Sequence, residues 1–98
     1  MNIQTKKDND ALTIVVEGRL DTSTAPQLEE CIKNSLEGIT NLSLDLSSLD
    51  YISSAGLRVL LSAQKQMMAK GEMKITGANE TVMEIFEITG FSDILTIE

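Results

Sequence analysis

The strongest constraint on the fold is the order in which two apolar spacings follow each other along the chain. Residues 3–7 and 11–18 predict two strands around a short polar turn, and in the second strand Leu12, Ile14 and Val16 recur at every second position. Strand and helix patterns then alternate, which requires right-handed crossovers and a mostly parallel sheet. We therefore expect an α/β fold: a hairpin followed by βαβαβα, with four or five strands in a mixed, mostly parallel sheet and helices chiefly on one face.

Helical spacing predicts three helices. They cover residues 25–37, residues 54–70, and a third segment that begins at Asn79 or Thr81 and ends near Gly90. On the second helix we expect an inward face made of Leu57, Leu60, Leu61, Gln64, Met67 and Met68.

Two further strands are predicted between the helices. One carries Leu42, Leu44 and Leu46 on one face, and a short one covers residues 73–76. Residues 48–53 are predicted to form a loop that leads into the second helix. Since parallel strands end at a common edge, the loops after three strands should form one continuous surface, and we expect function there.

Two single residues raise separate questions. Asp45 should point away from the face that carries Leu44 and Leu46, where it could bind loop N–H groups near Ser53 or simply face water. Cys31 lies on the apolar stripe of the first predicted helix, so we expect a buried thiol.

Composition excludes several classes of function. The chain of 98 residues suits one domain, 1–98, and its net charge of −7 with three aromatic residues disfavours nucleic acid and anionic membranes. With no histidine, a Ser-His-Asp triad and a histidine metal site are impossible, so we expect no enzyme, no cofactor and no metal. No apolar run approaches the roughly 18 residues of a membrane span, and a cytoplasmic protein without membrane insertion is the expectation.

Ser53 and Ser54 lie at the predicted junction between strand and helix. A helix start offers unpaired N–H groups and the positive end of the helix dipole. One serine could simply cap the helix, a contribution of about 1 kcal/mol. Alternatively, an exposed hydroxyl could accept a phosphate, which adds nearly two negative charges at neutral pH.

Gly56 has two interpretations, close packing of the helix on the sheet or a bare backbone that lets a partner approach. From the second, we expect Gly56→Ala to leave stability unchanged or slightly raised, because alanine favours helices. A polar cluster precedes the first helix, where turn and cap roles compete with a contact role, and Thr24 with Gln27 fits a capping box. Its members are Asp21, Thr22, Ser23 and Thr24.

Four segments resemble a known family. They are Gly18-Arg19-Leu20-Asp21, Leu44-Asp45-Leu46-Ser47, residues 51–61 and Ile88-Thr89-Gly90-Phe91. With them, the whole chain resembles the bacterial anti-anti-sigma factors, or anti-sigma factor antagonists, which are single STAS domains. Members commonly have Asp-Ser-Ser-Gly or Asp-Ser-Thr-Gly at the switch. The phosphorylated serine of that motif matches Ser54, while Ser53 replaces the aspartate and Ala55 the second hydroxyl residue.

The resemblance implies a partner switch. The unphosphorylated form would bind an anti-sigma factor that is also a serine kinase of the histidine-kinase-like ATPase type, and so release a sigma factor. Phosphorylation of Ser54, with Ser53 as second choice, would end binding, and a serine phosphatase would reset the protein, a monomer when free. The expected contacts are Asp21, Thr22, Ser23, Thr24, Ser53, Ser54, Ala55, Gly56 and Arg58. The alternative is a non-phosphorylated structural STAS subunit of a transport or signalling complex.

Overall fold

A four-stranded sheet with three helices forms the fold, as the computed structural model of residues Met1–Glu98 shows. The elements are β1 (Asn2–Asp8), β2 (Ala11–Leu20), α1 (Ala25–Ser35), β3 (Asn41–Ile52), α2 (Ser54–Met68), β4 (Glu72–Thr76), α3 (Glu80–Thr89) and a 3-10 helix (Phe91–Asp93). The strand order is β1-β2-β3-β4, with β1 antiparallel to β2 and the other pairs parallel. The predicted fold class is confirmed, and a single parallel bridge from Ile97 to Ile75 stands where a fifth strand was possible.

All three helices cover the same face of the sheet. Side chains on that face of β2, β3 and β4 form one buried cluster with apolar side chains of α1, α2 and α3. Leu28, Leu60 and Phe86, one from each helix, have no exposed surface. The opposite face is half-buried along most of β2 and mostly exposed on β4, and β1 at the edge is exposed at every position except Ile3.

The prediction of a loop at residues 48–53 is wrong, because β3 continues to Ile52. The pairing of β2 with β3 shifts register twice, next to Leu46 and again at Asp50. Beyond Leu46 the buried positions are Leu49 and Ile52, three residues apart instead of two. The bulges break the alternation that marks a strand in sequence, although the backbone pairing goes on.

The helices α1 and α2 each end two residues earlier than predicted, at Ser35 and Met68. The capping box is also wrong, since the Thr24 side chain makes no cap hydrogen bond to α1. Its hydroxyl instead donates to the carbonyl oxygen of Arg19 at 2.7 Å and accepts from the N–H of Asp21 at 2.9 Å. Cys31 is half-buried rather than fully buried.

The inward face predicted for α2 is partly wrong. Met67 is fully buried, but Met68 is 74% exposed. Neighbouring residues of a helix point about 100° apart, and near the end of α2 only the direction of Met67 meets the core. Val59 and Ala63 are buried in addition to the predicted residues. None of the helices combines the length and the apolar character that crossing a membrane requires.

The third helix begins and ends where its sequence predicts. Asn79 caps α3 by accepting a hydrogen bond from the N–H of Val82 at 2.8 Å, and its amide donates to the carbonyl oxygen of Leu49 at 2.9 Å. Gly90 ends the helix with a φ of 81°, a left-handed conformation that glycine adopts without strain. Asn79 therefore both starts α3 and ties it to β3.

Asp45 stabilises the first bulge of β3. It lies on the face opposite Leu44 and Leu46, and its carboxylate accepts a hydrogen bond from the N–H of Ser47 at 2.9 Å. The hydroxyl and then the backbone N–H of Ser47 lower the pKa of Asp45 below its ordinary value of 3.8, and the nearby charge of Lys6 contributes less. The carboxylate thus accepts a hydrogen bond from a backbone N–H that, because of the bulge, has no partner in the neighbouring strand.

We expect Asp45→Asn to lower the free energy of unfolding by about 1 kcal/mol at pH 7. Because the folded pKa lies below the unfolded one, the ionised form stabilises the fold above about pH 3.8. That contribution is lost as the pH falls through the folded pKa, so the difference from wild type should shrink at pH 3. Urea melts at both values check this, with Asp50→Asn at an exposed carboxylate as control. A difference that is the same at both pH values would contradict it.

Candidate functional site

The parallel strands end at a common edge, called here the carboxyl edge, where the loops after β2 and β4 lie beside the junction of β3 with α2. The end of β2 and the start of α2 are joined directly, since the N–H of Ser53 donates to the carbonyl oxygen of Leu20 at 2.8 Å. The loop before α3 is held to β3 by the bond from Asn79 to Leu49. The chain therefore builds one surface from three separate segments.

The loop between β2 and α1 is shaped by its own side chains. One carboxylate oxygen of Asp21 accepts hydrogen bonds from the N–H and hydroxyl of Ser23, at 3.0 and 2.7 Å, and from the N–H of Thr24 at 3.2 Å. The bond from the Ser23 hydroxyl is the main cause that lowers the pKa of Asp21. Asp21 and Thr24 thus act as turn residues, while Thr22 and Ser23 remain exposed.

Arg19 and Tyr51 form a second part of the surface that the sequence pattern did not reveal. The guanidinium carbon of Arg19 lies 4.7 Å from the centre of the Tyr51 ring, and its Nε lies 3.9 Å from Asp21. The two residues are register partners only because the bulges of β3 shift the pairing. In the sequence, the only sign of this arrangement is that Arg19 precedes Asp21 by two residues at the end of a strand.

Ser53 and Ser54 occupy different environments. Ser53 precedes α2 with an extended backbone, its hydroxyl makes no cap hydrogen bond, and this buried oxygen has no partner. Ser54 is the first residue of α2 and is exposed. Of the two hydroxyls, only that of Ser54 lies open to solvent.

The first turn of α2 suits a negatively charged group. It contains no acidic residue, and the positive end of the helix dipole lies there. Arg58 is exposed and follows Ser54 by four residues, so the two side chains are neighbours along the helix. Ala55 between them is half-buried.

Gly56 packs α2 against the sheet. It is buried, and a Cβ atom at this position would lie 2.7 Å from Cγ of Leu20 and 2.8 Å from Cγ1 of Ile52. Both atoms belong to the inner parts of buried side chains at the ends of β2 and β3, so neither can move away freely. The packing interpretation therefore holds, and the expectation that alanine is tolerated at Gly56 is wrong.

We expect Gly56→Ala to lower the free energy of unfolding by about 1–3 kcal/mol, because overpacking outweighs the gain in helix propensity. Ser54→Ala, two residues earlier on the same helix and exposed, should stay within about 0.5 kcal/mol of wild type. Thermal and urea unfolding of both variants measure this. A Gly56→Ala protein as stable as wild type would contradict the packing described here.

Ser53→Ala should raise the free energy of unfolding by about 1 kcal/mol, because it removes a buried hydroxyl that has no hydrogen-bond partner. A serine that caps a helix would show the opposite sign. Asn79→Ala is the matched control, since Asn79 does cap α3 and its loss should cost about 1 kcal/mol or more. If both variants lose stability in urea melts, the Ser53 hydroxyl caps α2 in solution.

Sequence comparisons match the chain along nearly its whole length. Residues 2–98 match the family model described as the STAS domain. The anti-sigma-B factor antagonist of Listeria monocytogenes serovar 1/2a is 36% identical over 96 residues, which are 95% of this chain and 83% of that protein. The protein of the same name in Bacillus subtilis strain 168 is 28% identical over 98 residues, 99% of this chain and 90% of that protein.

Solved structures have the same fold at lower identity. An anti-sigma factor antagonist from Mycobacterium paratuberculosis gives a TM-score of 0.89 at 20% identity, over 98% of this chain and 83% of that one. The anti-sigma factor antagonist SpoIIAA in its unphosphorylated form gives 0.78 at 17% identity, over 99% and 87%. The phosphorylated form of SpoIIAA, described as a Bacillus cell fate determinant, gives 0.76 at 17% identity, over 99% and 91%.

Proposed function

Since the chain belongs to the STAS-domain family of anti-sigma factor antagonists, we propose that its unphosphorylated form binds an anti-sigma factor and thereby releases a sigma factor. The binding surface in this proposal is the carboxyl edge around Ser54. The protein acts there as a monomeric regulator in the cytoplasm and not as a catalyst. The exposed Ser54 at an acid-free helix start, beside a buried Ser53 hydroxyl, is the observation that carries the proposal.

The partner in this proposal is both an anti-sigma factor and a serine kinase of the histidine-kinase-like ATPase type. It phosphorylates Ser54, the complex dissociates, and a serine phosphatase restores the hydroxyl. Ser53 is the weaker candidate, because a kinase cannot reach a buried oxygen without opening the start of α2. Ser54 needs no such opening.

A phosphate at Ser54 would change what the partner meets. An interface centred on this residue accommodates a hydroxyl, but it would have to bury a group with nearly two negative charges. Burying an unpaired charge costs several kcal/mol, and a shift of about 4 kcal/mol already changes affinity roughly a thousandfold. Phosphorylation can therefore end binding without any movement of the backbone.

The start of α2 can hold the phosphate without damage to the fold. The helix dipole favours a negative charge there by about 0.3–1 kcal/mol, and Arg58 is placed one helical turn away. SpoIIAA has been solved in unphosphorylated and phosphorylated forms, and this chain is similar to both with nearly equal TM-scores. The charge environment at the start of α2 therefore supports a switch that acts on the partner rather than on the domain itself.

The proposed contacts follow from exposure along the carboxyl edge. Thr22, Ser23, Ser54 and Arg58 offer their side chains directly. The other residues expected from the sequence act at or behind this surface: Asp21 and Thr24 shape the loop, Ala55 and Ser53 lie half-buried beside Ser54, and Gly56 lets α2 approach the sheet.

We expect Ser54→Asp to bind the anti-sigma kinase at least a hundredfold more weakly than wild type, and Ser54→Ala to bind it with similar affinity and to resist release by ATP. Isothermal titration calorimetry measures the affinities, and phosphopeptide mapping after incubation with kinase and ATP should place the phosphate on Ser54. Ser62→Asp is the matched control, because it adds the same charge at another exposed serine of α2.

Two results would contradict the proposal in different ways. Phosphate found chiefly on Ser53 would move the switch by one residue. Equal affinity of wild type, Ser54→Ala and Ser54→Asp would exclude the switch altogether. In that case the alternative of a structural STAS subunit in a transport or signalling complex, held by the same surface without phosphorylation, would be favoured.

A further inference from the structure

The last quarter of the chain combines exposed apolar side chains with charge of one sign. Residues 75–98 hold five of the fifteen acidic side chains and none of the eight basic ones. Three large apolar side chains are exposed in the protein, and two of them, Ile88 at 78% and Ile94 at 47%, lie in this segment. We propose that this acidic C-terminal face binds a basic amphipathic helix of a partner protein. The face is defined by Glu84, Glu87, Ile88, Asp93 and Ile94.

The exposed side of α3 presents a row of carboxylates beside an isoleucine. Glu80, Glu84 and Glu87 are spaced by four and three residues, which places them within about 60° of one another around the helix axis. Ile88 lies at the border of this row and is exposed, while the other side of α3 packs into the core. The surface thus has an apolar ridge with an acidic rim.

The chain leaves the charges of Glu84 and Glu87 without compensation, whereas Glu80 lies in the first turn of α3, where the helix dipole favours a negative charge. Carboxylates at spacings of three and four destabilise a helix by a few tenths of a kcal/mol per pair. No basic residue lies in the last turn of α3, where the dipole is negative and Glu87 adds to it. The two ion pairs of the protein join Arg19 with Asp21 and Lys74 with Glu98, and neither reaches the row on α3. Lysine or arginine side chains of a partner would supply the missing charges.

The apolar part argues for a helical partner. Ile88 near the end of α3 and Ile94 just beyond the 3-10 helix are exposed, while Ile85 and Phe91 are half-buried and pack against the core. An amphipathic helix presents apolar side chains on one face and basic side chains on its flanks, so it matches two exposed isoleucines with acidic side chains around them. A second copy of this chain would bring carboxylates against carboxylates, and an anionic membrane or a nucleic acid would be repelled in the same way.

This face is separate from the surface around Ser54. Ile88 follows the start of α3 by eight residues, or about 12 Å along the helix away from the carboxyl edge. After α3 the chain runs parallel to β4, with Ile97 paired to Ile75. The 3-10 helix therefore lies toward the end of the sheet where the parallel strands begin, opposite the carboxyl edge. A partner bound here leaves Ser54 accessible, and the inference does not depend on the phosphorylation proposal.

The test uses the full chain and a synthetic 15-residue helical peptide with leucine along one face and lysine on both flanks. Two further peptides serve as controls, one with glutamate in place of lysine and one with the same composition in scrambled order. Chemical-shift mapping on the 15N-labelled protein should show changes at Glu84–Ile94 and none at Ser53–Arg58. The glutamate and scrambled peptides should bind at least tenfold more weakly.

Variants of the protein then separate the two parts of the face. Ile88→Ser should weaken binding at least tenfold, while Gln4→Ser, at an exposed residue of β1 on the far side of the sheet from β4, should leave it unchanged. Glu84→Gln with Glu87→Gln should weaken binding and reduce its dependence on salt. Thermal melts show whether each variant is folded. Because Ile88 is exposed, its replacement by serine should not unfold the protein.

Four results would overturn the proposal. The first is a peptide footprint elsewhere on the protein, and the second is equal binding by wild type and Ile88→Ser. The third is a dimer in sedimentation that Ile88→Ser abolishes, which would make a second copy the occupant. The fourth is binding to vesicles of anionic lipid that requires Ile88, which would make the face a membrane contact.

Discussion

The close contact of α2 with the sheet at Gly56 determines the geometry of the carboxyl edge. Leu20 and Ile52 are the last residues of two neighbouring strands, and α2 rests on both of them through a residue without a side chain. The first turn of the helix is therefore fixed against two strands at once. This contact holds Ser53 at the buried side of the junction and leaves Ser54 at the exposed side, so of the two hydroxyls only that of Ser54 is open to solvent.

The sequence predicts most of the fold because most of its elements have regular spacing. The parallel crossovers, the capping of α3 by Asn79 and its end at Gly90 all depend on local patterns that the structure preserves. The continuation of β3 could not be predicted in this way. Its two bulges move the buried positions from a spacing of two to a spacing of three, and that spacing in a short segment does not distinguish a strand from a loop.

The sequence predicts where the candidate site lies, but not which of its side chains are buried or in contact. Loops after parallel strands lie at one edge, so the sequence alone brings Asp21, Ser54 and Asn79 together. The different burial of Ser53 and Ser54 depends on the angle at which α2 leaves β3, which no local pattern encodes. The stacking of Arg19 on Tyr51 depends on a register that the bulges create, and so it required the structure.

The exposed edge strand β1 has a consequence for the motions of the domain. It pairs with β2 along seven residues but contributes only the partly buried Ile3 to the apolar interior, whereas β3 is paired on both sides and buried along one face. Separating β1 from the sheet therefore exposes little apolar surface and breaks one ladder of hydrogen bonds. Local opening requires less free energy than global unfolding where so little is buried. The amide protons of β1 should thus exchange with solvent through local opening that leaves the carboxyl edge intact. Those of β3 should exchange only when the whole domain unfolds.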